Sequence, residues 1–362
     1  MQKNDKLKLK ITDYDGKSGG IGRINDFVVF VDFALPNETV LAEITEVKKH
    51  FARAKILEIL EKSSHRIAPF CQYYGTCGGC DLQHCDYDCG LELKTNHLKR
   101  KIPNIKNAIG MQNPFNYRNT AQYKIQGNKI GFYAKNSHDI VDITSCPICH
   151  ADDKNVLSER RGGACPSHEI TTRNGHLSAA ETISFMSHKF NITPKTFFQT
   201  NYAQTEKLYN KIIDFLHKNP PPTAIDLYCG VGSISITIAS HCKKVYGIEL
   251  VPESVKMANE NAVLNNIPNI EFICSKAETS DLPKTDVIIV DPPRSGLSPR
   301  LIENIQKNPP KTLIYVSCNP QTFLRDIALF TKYRLTEVQP IDMFPWTRHL
   351  ELTAKLQIIN TK

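Results

Sequence analysis

Ala224-Ile225-Asp226-Leu227-Tyr228-Cys229-Gly230-Val231-Gly232-Ser233 is the stretch that decides the fold. Ala224–Tyr228 is a short apolar run, suited to a buried strand. Gly230 and Gly232 then permit a tight turn and a close approach of backbone to a ligand, and a helix pattern follows. Val245–Leu250 reads as the next strand. Glu249 lies near its end, about 20 residues beyond the turn, where a carboxylate can hold ribose hydroxyls. Helix Glu253–Asn265, strands Glu271–Cys274 and Val287–Val290, helix Pro299–Gln306 and strand Thr312–Ser317 continue the alternation. Such a chain makes an open α/β sheet that binds ligands at the C-terminal ends of its strands. The third glycine of a dinucleotide motif is missing, because position 235 is serine. That disfavours a pyrophosphate, and with it NAD, and favours S-adenosylmethionine.

Three further segments sit where this sheet would bind. Asp291-Pro292-Pro293-Arg294 follows a strand, and its two prolines fix the backbone rigidly beside the cofactor. Amino-directed methyltransferases end a related turn in an aromatic residue; Arg294 stands there instead and implies a different target. Cys318 closes strand Thr312–Ser317 and is a candidate nucleophile, although most cysteines are inert and buried. Glu351, preceded by His349-Leu350, could act as a general base tuned by partial burial. As an isolated residue it would equally suit a surface salt bridge.

Outward from this half the chain changes character. Tyr202–Lys218 has a helix pattern and Pro220-Pro221-Pro222 reads as a linker. Residues 1–62 alternate apolar and polar positions. Ile21–Ile24, Phe27–Phe33 and Val40–Val47 are expected strands, with turns at Gly19-Gly20 and Leu35-Pro36-Asn37, which together suggest a small β-barrel. Leu91–Lys101 is helix-like, and 150–178 is expected to be rich in loops. The 362 residues allow two or three domains, here 1–62, 63–190 and 191–362. Ordinary globular composition excludes a disordered or fibrous protein. No apolar run reaches the length of a membrane span, and Met1–Lys10 lacks the apolar core of a signal peptide, so the chain reads as cytoplasmic. The net charge of +8 is spread along the chain rather than gathered in a polybasic arm, which is compatible with nucleic-acid binding without requiring it.

Twelve cysteines in a reducing compartment suggest metal or catalytic use rather than disulfides. Cys71, Cys77, Cys80, Cys85 and Cys89 cluster; Cys146 and Cys149 form a second group, with Cys165 beyond it. Cys71-x5-Cys77-x2-Cys80 offers three thiolates and needs a fourth ligand from elsewhere, and the spacing does not identify the metal. Cys77-x2-Cys80 with Cys146-x2-Cys149 would make a four-thiolate zinc site, against which stand the long gap between the pairs and the unused Cys71.

Taken together, Phe198-Gln199-Thr200-Asn201, Asp226–Ser233, Asp291–Gly296, Ser317-Cys318-Asn319-Pro320 and His349-Leu350-Glu351 resemble, in order, the motifs of the RNA uracil-5-methyltransferase family. The cysteine cluster and the N-terminal barrel match as well, most like the iron–sulfur branch that modifies 23S rRNA. The resemblance covers nearly the whole chain. It implies an α/β Rossmann-like class I methyltransferase domain, an N-terminal OB-like β-barrel (TRAM) and a small central iron–sulfur domain. Gly20-Ile21-Gly22-Arg23 and Ala34-Leu35-Pro36-Asn37-Glu38 fit the TRAM pattern. The helix near 91–101 would pack on the catalytic domain.

By the same resemblance Cys318 is the nucleophile and Glu351 the base. Gln199, Tyr228, Ser233, Glu249 and Asp291 are cofactor-binding positions, and Asp291 and Arg294 line the base pocket. Cys71, Cys77, Cys80 and Cys146 would hold a [4Fe-4S] cluster, with Cys85 and Cys89 as bystanders. Tyr117-Arg118-Asn119 resembles a segment that meets RNA, though it also suits an ordinary strand start. Lys276 departs from the family's Asp or Asn, and the segment between Cys149 and Phe197 looks short. The expected reaction is methyl transfer from S-adenosylmethionine to C5 of a uridine in 23S rRNA through a covalent link from cysteine to C6, by a monomer. The rivals are the same chemistry on tRNA, giving ribothymidine in the T loop, a non-catalytic RNA-binding protein, and an amino-group methyltransferase without a covalent intermediate.

Overall fold

A computed structural model describes residues 1–16, 19–102, 104–161, 169–216 and 222–359. The chain forms two compact units. Met1–Lys101, Lys124–Ile143 and Phe344–Arg348 make one; Ile102–Tyr123, Thr144–Met343 and His349–Lys362 make the other.

In the first unit, β1 (Lys6–Tyr14), β2 (Gly20–Ile24), β3 (Phe27–Asp32), β4 (Thr39–Val47) and β5 (Phe51–Glu61) close a barrel in the order β1-β2-β3-β5-β4. Alternate residues point inward: Leu9, Ile11, Val29, Val31, Val40, Ala42, Ile44, Ala52 and Ala54 fill the core. Asn25 and Asp26 both take positive φ, as a two-residue hairpin turn requires. The three expected strands are present, and β1 and β5 are additional. Phe33 falls outside β3 because its φ of 61° breaks the strand. Fully buried Glu38 accepts from Leu35 N–H at 2.9 Å and from Arg66 Nη2 at 2.8 Å, which ties the barrel to the segment after β5.

Beyond the barrel lies α1 (Tyr87–Lys99), which starts four residues before the expected helix because Asp86 caps it, accepting from Cys89 N–H at 2.8 Å. The end of β6 (Thr120–Gln126), β7 (Lys129–Tyr133) and β8 (Ile140–Asp142) run antiparallel. The cysteine loop leans on the β7–β8 turn: Gly78 N–H donates to Tyr133 O at 2.9 Å, and Lys135 N–H to Thr76 O at 2.8 Å.

The second unit holds α2 (Asp153–Arg161), the hairpins β9 (Glu169–Arg173) with β10 (His176–Leu177) and β11 (Glu181–Phe185) with β12 (His188–Ile192), and α3 (Tyr202–Leu216). Within the stretch expected to be rich in loops, 150–178, most of the described residues are thus helix or hairpin. Cys165, the last two residues of the expected helix ending at Lys218, and Pro220-Pro221 lie outside the described residues.

The main sheet follows. Its strands are β13 (Thr223–Leu227), β14 (Lys244–Glu249), β15 (Ile270–Cys274), β16 (Val287–Val290), β17 (Thr312–Ser317), β18 (Tyr333–Ile341) and β19 (Glu351–Ile358). Between them run α4 (Ser233–Ile238), α5 (Pro252–Leu264), α6 (Pro299–Lys307) and α7 (Pro320–Leu329). The strand order is β15-β14-β13-β16-β17-β19-β18. The first five strands are parallel, and β19 inserts antiparallel between β17 and β18. β16 and β17 are buried at every residue, as apolar parallel strands covered on both faces should be. Strands β13 to β17 match the expectation within one residue; α7, β18 and β19 are additional. No helix among the described residues is long and apolar enough to cross a membrane.

Candidate active site

Tyr228, Glu249 and Asp291 lie level at the C-terminal ends of β13, β14 and β16, and β17 runs on to Ser317, two residues past the partner of Val290, before Cys318. Leu227 pairs with Ile248 and Val290, Val290 with Tyr315, and Glu249 with Cys274. Tyr228, Glu249, Asp291 and Cys318 therefore share one edge of the sheet. Tyr228 N–H donates to Ile248 O at 2.9 Å, which holds the turn onto β14. Ser317 pairs with Leu352 across the antiparallel junction, so the next step along that register faces Cys318 with Glu351.

The glycine turn is shaped by contact on one side and space on the other. Gly232 has φ +82°, and a Cβ there would stand 2.7 Å from the Phe272 ring. Gly230 has φ +55°, and nothing lies within 4 Å of where its Cβ would be. Gly230 N–H donates to Glu249 Oε2 at 3.1 Å and Val251 N–H to Oε1 at 2.8 Å, fixing a carboxylate that keeps lone pairs for hydroxyl donors. Ser233 Oγ is 2.7 Å from Tyr209 Oη. Tyr228 donates to Glu278 Oε1 at 3.2 Å, and a cleft of about 390 Å³ opens beside it, lined by Pro293, Gly296 and Arg325 among others.

Ser235, where a dinucleotide motif has glycine, donates to Asp226 Oδ2 at 2.6 Å. Asp226 is fully buried, and its Oδ1 has no hydrogen-bond partner among the described residues. Burial pushes its carboxyl up to about 7. The position of Asp226 at the strand end was visible in the sequence; its burial and its bond to Ser235 were not.

Every residue of Ser317-Cys318-Asn319-Pro320 has a local task. Asn319 caps α7, accepting from Gln321 N–H at 3.1 Å, and Pro320 begins the helix. Ser317 Oγ donates to Asn319 O at 3.1 Å, which clamps the junction around Cys318. Asn319 Nδ2 donates to Arg294 O at 3.1 Å, joining this junction to the Asp-Pro-Pro-Arg turn. Arg325 Nη2 holds Ser295 O at 2.8 Å, and buried Asp326 accepts from Leu297 N–H and Tyr315 Oη, each at 2.7 Å. Nothing in the sequence pointed to Arg325 or Asp326.

Burial dominates the electrostatics. Desolvation raises the Cys318 thiol to about 11; the charges of Glu351 and Asp291 add to this and Arg294 opposes it. Asp291 goes up to about 6 by burial. Glu351, 4% exposed, is held well above the carboxylate range by burial and by Asp291, with Arg294 again opposing. Gln199 is half-buried in the loop before α3, next to Phe198, which packs in a ring cluster with Phe185, Phe190 and Tyr202. Asn119 fixes that loop, giving its side-chain N–H to Gln199 O at 3.1 Å and its backbone N–H to Thr200 O at 2.8 Å.

The expected metal cluster finds no support among the described residues. Among the described residues no three His, Cys, Asp or Glu side chains gather as a ligand set. Cys71, Cys77 and Cys80 belong to the first unit and Cys146 to the second. Cys146 is hydrogen-bonded to the Cys149 thiol, which brings it down to about 7.

Residues 167–358 match the family model described as tRNA (uracil-5-)-methyltransferase. The chain belongs to this family. Residues 2–57 of the methyltransferase match a TRAM domain, which is the five-stranded barrel. The enzyme is 33% identical to a protein of Staphylococcus aureus strain N315 named as an uncharacterised RNA methyltransferase, across 97% of this chain and 98% of that one. A similarly named protein of Caldanaerobacter subterraneus is 34% identical, covering 98% of each. The Staphylococcus alignment runs over 443 positions against 362 residues here, so that relative carries segments this enzyme lacks. Among solved structures, the Pyrococcus abyssi tRNA (uracil-54, C5)-methyltransferase in complex with S-adenosyl-L-homocysteine matches with a TM-score of 0.79 and 25% identity, covering 97% of this chain and 99% of that one.

The methyltransferase domain has the class I fold, and the enzyme is an S-adenosylmethionine-dependent RNA uracil-5-methyltransferase. Its turn suits that cofactor: open space at Gly230, a fixed carboxylate at Glu249 and an unpartnered buried oxygen on Asp226.

Proposed function

We propose that the enzyme methylates C5 of a uridine in 23S rRNA through a covalent bond from Cys318 to C6, with Glu351 removing the C5 proton. The observation that carries this reading is the β17–β19 register, which sets Cys318 opposite Glu351 at the sheet edge that also bears Asp291. Gly230, Ser233 and Glu249 would hold the adenosine part of the cofactor, with Gln199, Tyr228 and Asp291 towards its methionine side. When bound there, S-adenosylmethionine supplies an electrophilic methyl group.

The Cys318 proton passes to water, and the thiolate attacks C6. The C5–C6 π pair moves onto C5 as an enolate, and that carbon would accept the methyl group as the S–CH3 bond breaks and neutral S-adenosylhomocysteine leaves. The Glu351 carboxylate then takes the C5 proton. The freed pair re-forms the C5–C6 double bond, and the S–C6 bond breaks to return the thiolate. Burial disfavours the charged forms of both groups. Arg294 is the charge that favours both ionised forms, so it serves the reaction by lowering two costs together. The target base must leave any helical stack to reach this edge.

A second reading, ribothymidine formation in tRNA, is favoured by the likeness to the Pyrococcus abyssi enzyme, whose name gives uracil-54 of tRNA as its target. Trapping tests both readings. The enzyme and S-adenosylmethionine are incubated with 5-fluorouridine-substituted 23S rRNA fragments or tRNA. Fluorine at C5 cannot be abstracted, so a denaturant-stable adduct should form on one RNA and vanish in Cys318→Ala. No adduct on either RNA, with S-adenosylmethionine binding intact, would overturn the covalent mechanism. Iron and sulfide analysis of protein purified without oxygen tests the cluster that the resemblance implied; an iron-free protein would retire it.

A further inference from the structure

His65, Cys85, Asp86 and Cys89 meet at the start of α1, in the first unit and outside the methyl-transfer site. A short backbone pairing brings them together. Arg66 bridges Cys85, Asp86 N–H donates to His65 O at 2.9 Å, and Ile67 N–H donates to His84 O at 3.2 Å. Asp86 then divides its carboxylate. Oδ1 accepts from Cys89 N–H at 2.8 Å and Oδ2 lies 2.8 Å from His65 Nδ1. One residue thus fixes both the imidazole and the helical turn that carries Cys89.

The two sulfurs are close but unequal. Cys85 is fully buried, with Sγ 3.3 Å from Leu82 O and 3.6 Å from where a Cβ on Gly90 would stand, and its thiol is hydrogen-bonded to Cys89. Cys89 is partly exposed, so a small reagent reaches it and not its neighbour. The bond from Cys85 and the charge of His65 favour the Cys89 thiolate, whereas burial, Asp86 and Glu92 oppose it; the balance lies below an ordinary thiol. The same bond and burial push Cys85 up. His65 is raised by its bond to Asp86 and by Cys89, which favours the charged imidazolium beside the sulfur.

We propose that Cys85 and Cys89 form a reversible dithiol–disulfide site for small disulfides, with Cys89 as the attacking sulfur and Cys85 as the resolving one. The Cys89 thiolate attacks one sulfur of the small disulfide, whose S–S bond breaks and releases one thiolate. That thiolate takes up a proton. The Cys85 thiol then loses its proton, and its sulfur attacks Cys89 in the mixed disulfide and expels the second thiolate, which is protonated in turn. Two protein thiols are oxidised to one disulfide and the small disulfide is reduced to two thiols. The bridge would join the residue before the helix cap to the first turn of α1.

The full-length enzyme is treated with glutathione disulfide at pH 7 under nitrogen, quenched with acid and mapped by peptide mass spectrometry. Wild type should acquire a Cys85–Cys89 bridge. Cys85→Ser should instead accumulate glutathione on Cys89, and Cys89→Ser should do neither. His65→Asn should slow the mixed disulfide several-fold at pH 7 and move its pH midpoint upward, with the melting temperature unchanged. Glutathione settling first on another cysteine in Cys85→Ser would overturn the proposal. So would a wild-type protein that modifies Cys89 but never bridges it to Cys85. If Cys85→Ser does not fold, Cys85→Ala replaces it and the wild-type map still decides.

Discussion

Cys318 and Asp226 show what residue-level physics adds to a motif. The sequence places Cys318 at the end of a strand, and that part was legible because strand and turn signals are local. It cannot show that Glu351 and Asp291 share the pocket, since the charges come from distant parts of the chain. With its thiol near 11, Cys318 in the free enzyme should carry about 100-fold less thiolate below pH 9 than an ordinary cysteine. Iodoacetamide labelling at Cys318 should therefore keep accelerating beyond pH 10, and Arg294→Gln should slow it further. A plateau near pH 8.5 would contradict this. Asp226 makes a prediction about stability. Its carboxyl titrates near 7 when folded and near 3.8 when unfolded, so both states are protonated below pH 3.8 and nothing is lost there. Between these values the unfolded chain releases its proton first, and stability falls as pH rises, levelling above 7. Asp226→Asn should consequently gain stability over wild type between pH 4 and 7, up to about 4 kcal/mol. It should also lose affinity for S-adenosylmethionine. Urea midpoints at pH 4 and 8 check the first part, and calorimetric titration the second.

At the scale of elements, the turn that carries Asp291 and Arg294 is held from behind by α7. Gly296 has φ +75°, and a Cβ there would run into Asp326 Oδ2. Gly296→Ala should destabilise the domain by about 1–3 kcal/mol and cut turnover more than cofactor binding. Asp326→Ala strands the Leu297 N–H and the Tyr315 hydroxyl and should cost about 2–4 kcal/mol in urea unfolding. A wild-type midpoint for either variant would show that the turn is rigid without α7. The parallel strands were readable as continuous apolar runs bounded by turns. β18 and β19 were not, because their partners are set by sheet closure rather than local pattern, and β18 carries Pro340. Helix α1 was readable except for its start, which depends on one capping side chain, Asp86.

At the scale of the whole molecule, the TRAM barrel points to RNA binding and the glycine turn to the cofactor, so the two affinities should respond to different variables. RNA affinity should fall steeply with salt while S-adenosylmethionine affinity stays nearly flat. Reversing Arg23 and Arg53, on the two barrel strands that flank β3, should weaken RNA binding about 10-fold and leave cofactor binding unchanged; filter binding and calorimetry separate the two. The TRAM barrel was legible from alternation and turn glycines, whereas the fit of the cysteines to a metal depended on three-dimensional placement that spacing does not specify. The insertion of β19 between β17 and β18 has a consequence for the birth of the protein. Of the seven strands of the main sheet, the one made last by the ribosome takes an interior place. Until it emerges, β17 has an open edge and Cys318 has no carboxylate opposite it. A half-made chain therefore has a thiol and a cofactor turn but no finished pocket, and it should modify no RNA until its last strand is in place.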